Sequence, residues 1–255
     1  MKISDIDKLT KRSRAKWSQA WLIDALINLD SPLKKKYVST RFCNDLLTKS
    51  GDKIVSRYCN RRWCKICCRI RTGKLLNYYE PILKKSPDLH LVTLTLPNVK
   101  ASKLKETIQV MIKACRTIQE TRRKTNLARI KGIRKLECTY NAKEDTYHPH
   151  FHFIISKEDH ARQFLEAWMA IFPQANIKGQ DIRPCKGYKE IFKYFTKFTS
   201  KTGENGNQMH YPQALDIIFQ AIEKQRTIQP FGMRQISEEI EPEIPLQEMN
   251  FSSLI

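Results

Sequence analysis

The sequence predicts an α+β protein: an antiparallel sheet covered by helices on one face, preceded by a small cysteine-rich module. Three observations predict it. Strand-like apolar runs occur at residues 89–96, 130–140, 147–155 and 181–184, helical patterns intervene at 102–125 and 160–172, and five of the eight cysteines crowd into residues 43–68. The resulting order, β-α-β-β-α-β, is that of a split βαβ, or ferredoxin-like, arrangement.

Each element has its own justification. Residues 1–30 read as an amphipathic helix carrying Trp17 and Trp21, and residues 31–40 as a basic linker. From 41 to 71 the chain is rich in Cys, Arg and Lys with little periodicity, as in a module held by ligands rather than by a core. A helical run follows at 72–85. LHLVTLTL (89–96) is a strand, and Ser102 is placed to cap the helix after it. Residues 141–145 form a turn between the next two strands. Tyr188, Ile191, Phe192, Phe195 and Phe198 make an apolar stripe on a helix at 188–201, and 212–224 is a further amphipathic helix. Four regions result: 1–85, 86–202, 203–236, and an acidic tail at 237–255 of a composition that favours disorder.

Composition bounds the partners. Lysine and arginine number 46 against 26 acidic residues, a net charge of +20, so a polyanion such as nucleic acid is expected. Beyond Arg234 there are five glutamates and no basic residue. No run of about 18 apolar residues exists, so no membrane span is expected. The start of the chain lacks a signal-peptide layout, and a cytoplasmic protein with reduced thiols is the expectation.

Two constellations carry chemistry. In TYHPHFHFII, alternation places His148, His150 and His152 on one face and Phe151, Phe153 and Ile155 on the other. Matching apolar faces in a hairpin sets Glu137 roughly opposite His150, with Thr93 and Thr95 lining the same floor. One carboxylate and two or three imidazoles suit a divalent cation such as Mg²⁺ or Mn²⁺, the third ligand being Glu137 or His148. The second constellation is Cys43, Cys59, Cys64 and Cys67, with Cys68 as an alternative to Cys67, a thiolate set fit for structural Zn²⁺. Arg57, Arg61, Arg62, Arg69 and Arg71, interleaved with Tyr58 and Trp63, make that module a DNA-contact surface. On the helix at 188–201, Glu190, Tyr194, Lys197 and Lys201 share a face beside the apolar stripe, and the two lysines are placed to contact phosphates.

HPHFH in a strand, LVTLTLPN upstream and KYFTK downstream together resemble the HUH endonucleases, most closely the plasmid rolling-circle replication initiators, over about residues 41–201. The resemblance implies an HUH architecture and a metal held by His150 and His152. It also implies Tyr194 as a nucleophile that forms a 5′-phosphotyrosyl bond and frees a 3′-hydroxyl primer. Lys197 would belong to the same catalytic group, and Glu190 would activate water at termination. The implied partners are plasmid origin DNA, a host helicase and a host polymerase, with no membrane. The same chemistry would serve a transposase or a mobilisation relaxase, while the cysteines and charge alone would also fit a non-catalytic zinc-dependent nucleic-acid-binding protein.

Overall fold

In the computed structural model the described residues are 3–45, 47–50, 53–86, 88–192, 211–237, 240 and 243–245; the side chains of 3–9, 11, 12, 47–50, 53–55, 190 and 243–245 are outside the description. The chain divides into two compact units, Met1–Gly73 with Glu238–Ile255, and Lys74–Ser237.

In the first unit, helix α1 (Ile3–Ile27) buries Ala15, Gln19, Leu22, Ile23 and Leu26 at helical spacing, while Trp17 is exposed. The expected linker at 31–40 is largely helix α2 (Lys34–Arg41). Its apolar stripe is only Tyr37 with Thr40, too short to register as a period among the lysines. Tyr37 meets the Trp63 ring edge-on at 5.4 Å, and Trp63 Nε1 donates to Thr40 Oγ1 at 3.0 Å. Two short strands absent from the sequence expectation, β1 (Leu47–Ser50) and β2 (Lys53–Ser56), form a hairpin, and β2 also pairs with β8 (Glu243–Pro245). Part of the acidic tail is therefore a strand. Helix α3 (Lys65–Lys84) starts earlier than the 72–85 run, so Cys67 and Cys68 lie in its first turn.

The second unit holds a five-stranded, wholly antiparallel sheet in the order β6-β3-β5-β4-β7. Its strands are β3 (Leu89–Thr95), β4 (Gly132–Asn141), β5 (Thr146–Ser156), β6 (Asp181–Pro184) and β7 (Ile228–Phe231). The first four carry the ferredoxin-like order, as expected; β7 is an addition on the β4 edge. IQPF gave no signal for it, being four residues with a proline, a residue tolerated on edge strands. Helices α4 (Ala101–Lys124) and α5 (Glu158–Ile171) cover one face; α6 (Pro212–Ile222) packs on α4. Helix α4 begins at Ala101 with Lys100 at its cap, so Ser102 is inside the first turn.

The core lies between that face and the helices. Phe151 and Phe153 of β5 meet Trp168 and Phe164 of α5 at ring separations of 6.1 and 5.1 Å, with Val92, Leu94, Leu136 and Ile155 beside them. Of the helix expected at 188–201, the described part is a 3-10 turn, Lys189–Phe192, whose Ile191 and Phe192 are buried and which lies against β4 and β5. Tyr188, expected in the apolar stripe, is half-exposed and donates to Glu80 Oε1 at 3.2 Å.

Trp168 is fully buried and also packs on Phe172 at 4.5 Å. Trp168→Ala is expected to cost about 3–5 kcal/mol through lost transfer energy and the cavity left behind, read as a lower denaturant midpoint for the sheet unit.

Candidate metal centres

The first centre follows from where β5 sits. As the middle strand it has β3 on one side and β4 on the other, and the register places Thr95, His150 and Glu137 in one row and Thr93, His152 and Lys135 in the next. Directly opposed residues share a face. The phenylalanines occupy the helix-covered face, so the imidazoles stand on the other.

The imidazole contacts fix which nitrogens converge. His150 Nδ1 lies 3.0 Å from the His148 carbonyl oxygen, which can only accept, so Nδ1 carries the proton. His152 Nδ1 lies 3.1 Å from Thr93 Oγ1. Both Nε2 atoms then face Glu137 Oε2, at 3.5 and 3.6 Å. A neutral His150 would direct its Nε2 lone pair at a carboxylate, a repulsive arrangement that a second proton or a bound cation relieves. Ligand atoms of Glu137, His150 and His152 all fall within 4.8 Å of one another. With bonds of about 2.1 Å, separations near 3.5 Å match tetrahedral angles at one ion, and closing them to about 3.0 Å gives the octahedral spacing of Mg²⁺. His150 is buried, while His152 and Glu137 are half-exposed, so this donor set fits a cation with positions left for a substrate oxygen.

Burial alone would raise the Glu137 pKa. The imidazoles of His150 and His152 in their protonated form, and the ammonium of Lys135, outweigh it and hold the carboxyl far below the usual range. Lys135 was legible in sequence only as part of a polar face; its contact with Glu137 is the addition. His148 points elsewhere: its Nδ1 is 2.8 Å from Asn98 Oδ1, and it stands outside the converging group.

The second centre lies in the cysteine-rich unit. Cys43 Sγ and Cys59 Sγ lie 3.6 and 3.7 Å from Cys67 Sγ, and Cys64 completes a buried group of four. Tetrahedral zinc with bonds of about 2.3 Å separates its sulfurs by about 3.8 Å, so the thiols fit that ion. Asn44 and Asn60, each following a cluster cysteine, take left-handed φ values of 59° and 55° and turn the chain around the sulfurs. The Cys59 amide donates to Cys43 Sγ at 3.4 Å and Gln19 Nε2 to Cys64 Sγ at 3.8 Å. Hydrogen bonds shared among the thiols, those with Cys43 foremost, pull Cys59 and Cys64 down and push Cys67 up. Cys68 is separate: its thiol donates to the Arg62 carbonyl at 2.9 Å.

Among the expected DNA contacts, Arg61 and Arg62 are half-exposed. Trp63 and Arg71 are buried instead; Arg71 donates to the Asn60 and Arg61 carbonyls at 2.6 and 3.1 Å and braces the cysteine loop. Tyr194, Lys197, Lys201 and the side chain of Glu190 lie outside the described residues. No described helix is long and apolar enough to cross a membrane.

A split βαβ sheet that presents two imidazoles on its central strand β5 and a carboxylate on the neighbouring β4, together with a four-thiol cluster, defines a class of metal-competent α+β protein. The chain belongs to the replication protein family (Rep_1), which matches residues 55–252. It is 33% identical over 129 residues to a "Protein rep" of Staphylococcus aureus, covering 45% of this chain and 55% of that protein. It is 29% identical over 149 residues to a "Protein rep" of a Bacillus species, covering 53% and 48%. The chain thus spans about half the length of these curated relatives. No solved structure matches it.

Because the folded pKa of Glu137 is depressed, its ionised form contributes stability above the unfolded value of about 4.3 and loses that contribution as pH falls through the folded value. In metal-free protein, the advantage of wild type over Glu137→Gln in denaturation midpoint is expected to be largest near pH 7 and to shrink below about pH 4. A difference independent of pH would show that these partners do not hold the carboxylate.

Proposed function

We propose that the chain initiates rolling-circle replication of a plasmid by nicking one strand at the origin. The observation that carries this reading is the convergence of His150 and His152 on the central strand β5 with Glu137 on the neighbouring β4. Membership of the replication protein family and the net charge of +20 support it.

Tyr194 is the nucleophile: its oxygen forms a bond to the scissile phosphorus as the bond from phosphorus to the 3′-oxygen breaks. The 3′-oxygen takes up a proton and becomes the primer hydroxyl, leaving a 5′-phosphotyrosyl link. A divalent cation such as Mg²⁺ or Mn²⁺, held by Glu137, His150 and His152, supplies positive charge to the phosphate as negative charge develops there. The His148 carbonyl and Thr93 orient the two imidazoles, and Lys135 keeps Glu137 ionised. The turn at Lys189–Phe192 lies against β4 and β5 only two residues before Tyr194, which supports bringing the tyrosine to this sheet. Glu190 serves as general base for the water that releases the strand, and Lys197 and Lys201 contact phosphates. Cys43, Cys59, Cys64 and Cys67 hold structural Zn²⁺, and Arg61 and Arg62 beside them contact origin DNA. A host helicase and polymerase would extend the primer.

Incubating full-length protein with single-stranded origin DNA and Mn²⁺ is expected to give a covalent adduct on denaturing gels. His150→Ala should lower its rate by about a hundredfold or more, and Tyr194→Phe should abolish it. An adduct formed by Tyr194→Phe overturns the nucleophile; no adduct from wild type on any origin strand, with binding lost on chelation, would leave a zinc-dependent DNA-binding protein.

Zinc stoichiometry tests the other centre. Cys64→Ser is expected to lose about one equivalent of zinc and to unfold at lower temperature, whereas Cys68→Ser keeps its zinc. Equal zinc loss in both variants would move the fourth ligand.

A further inference from the structure

The face of the sheet turned away from Glu137, His150 and His152 carries a cavity of about 340 Å³ whose lining no part of the nicking chemistry uses. It opens between α4, the β4–β7 edge and the segment after β7. One wall is apolar, with Phe231 partly exposed on it and Phe153 and Phe164 buried behind it; the rim is cationic, with Arg116, Arg123 and Arg129 exposed around it. Glu120 is the one carboxylate among the lining residues.

At the floor lies Arg134, 4% exposed. Its guanidinium stands 4.8 Å from the centre of the Phe151 ring, and its hydrogen-bond partners are neutral: Gln229 Oε1 at 2.7 Å, the Arg226 carbonyl at 3.5 Å and the Cys115 thiol. Among the described residues no carboxylate lies within ion-pair distance of Arg134, Arg116, Arg123 or Arg129. A guanidinium taken out of water calls for a counter-charge, and here neutral acceptors and a ring face stand in its place. A second polar atom is also left open. Gln119 donates its amide to the Ile130 carbonyl at 3.2 Å, but its Oε1 is buried at the cavity with no partner. An orphaned acceptor of this kind calls for an N–H or O–H donor.

The three features ask for different parts of one ligand. The arginines fit an anion that accepts several charge-assisted hydrogen bonds. The partly exposed Phe231 ring fits a flat apolar body, and Gln119 Oε1 a donor on it. Inorganic phosphate would satisfy only the first, and the volume is that of a site for a small organic molecule. We propose that this cavity binds a nucleoside monophosphate, with the phosphate on the arginine rim and floor and the base against Phe231. The proposal does not depend on Tyr194 or on the metal.

Titration calorimetry of the full-length protein with adenosine 5′-monophosphate tests it, with inorganic phosphate, adenosine and a ten-nucleotide oligothymidylate as separate arms. The nucleotide is expected to bind one to one, at least about tenfold tighter than phosphate or adenosine alone. Arg123→Ala, an exposed rim position, should weaken binding about tenfold or more without moving the melting temperature, and Glu120→Gln should tighten it. His150→Ala should leave it unchanged. The proposal is overturned if the nucleotide binds no better than phosphate, if Arg123→Ala has no effect, or if His150→Ala removes the binding. Competition by the oligothymidylate with the same Arg123 dependence would also overturn it, making the rim a track for strand phosphates.

Discussion

Strand β5 has to satisfy two environments with one period. Its odd-numbered residues Phe151 and Phe153 hold the sheet to α5, and this burial pins the register, because a slip of one residue would exchange the faces and put imidazoles in the core. Once pinned, the alternation leaves no freedom for His150 and His152: they must stand on the open face, in rows shared with Glu137, Thr93 and Thr95. The metal-competent group is thus held by apolar packing on the far side of the sheet. Its precision comes from backbone and neighbouring side chains: the His148 carbonyl fixes the His150 tautomer and Thr93 orients the His152 ring, without needing a loop to order.

The cysteine-rich unit solves a different problem. It has a few aromatic and aliphatic contacts, notably Tyr37 on Trp63, but its buried cluster of Ala15, Ile66 and Ile240 is built around Cys43, Cys59, Cys64 and Cys67. Four thiols packed this closely share hydrogen bonds and form a group that could hold a cation at its centre. Arg71 and the left-handed asparagines Asn44 and Asn60 close the loops around it, so polar groups here do what a larger core would do elsewhere.

The parts legible in the sequence are those whose signal is a period or a spacing. HPHFH alternates, so its two faces and the place of Glu137 followed from counting; the four-strand order followed from the same patterns. What sequence could not supply was contact. Glu137 and His148 are both in phase with the metal group, and only the hydrogen bond of His148 to Asn98 separates them. Cys67 and Cys68 are neighbours in the first turn of α3, and helical geometry turns one sulfur to the cluster and the other to the Arg62 carbonyl. Strand β7, helix α2 and the β1–β2 hairpin are four to eight residues long with one or two apolar positions each, below the length at which a period emerges. Trp63 and Arg71 read as surface residues by type and are internal by partner.

The alternation that makes the front of the sheet also makes its back. Lys135 and Arg134 are consecutive cations on β4, and their side chains leave the strand in opposite directions: Lys135 to Glu137 among the metal-competent residues, Arg134 over the Phe151 ring to the far cavity. The same holds on β5, where His152 faces one way and Phe153 the other. Gly132 shows how tightly this edge is built, because a Cβ there would come within 2.4 Å of the Ile154 carbonyl and 2.6 Å of the Phe231 ring. Phe231 lines the cavity, and Ile154 lies two residues from His152 on the same strand. The close fit at Gly132 therefore joins the cavity wall to the strand that carries the imidazoles through backbone rather than through movable side chains.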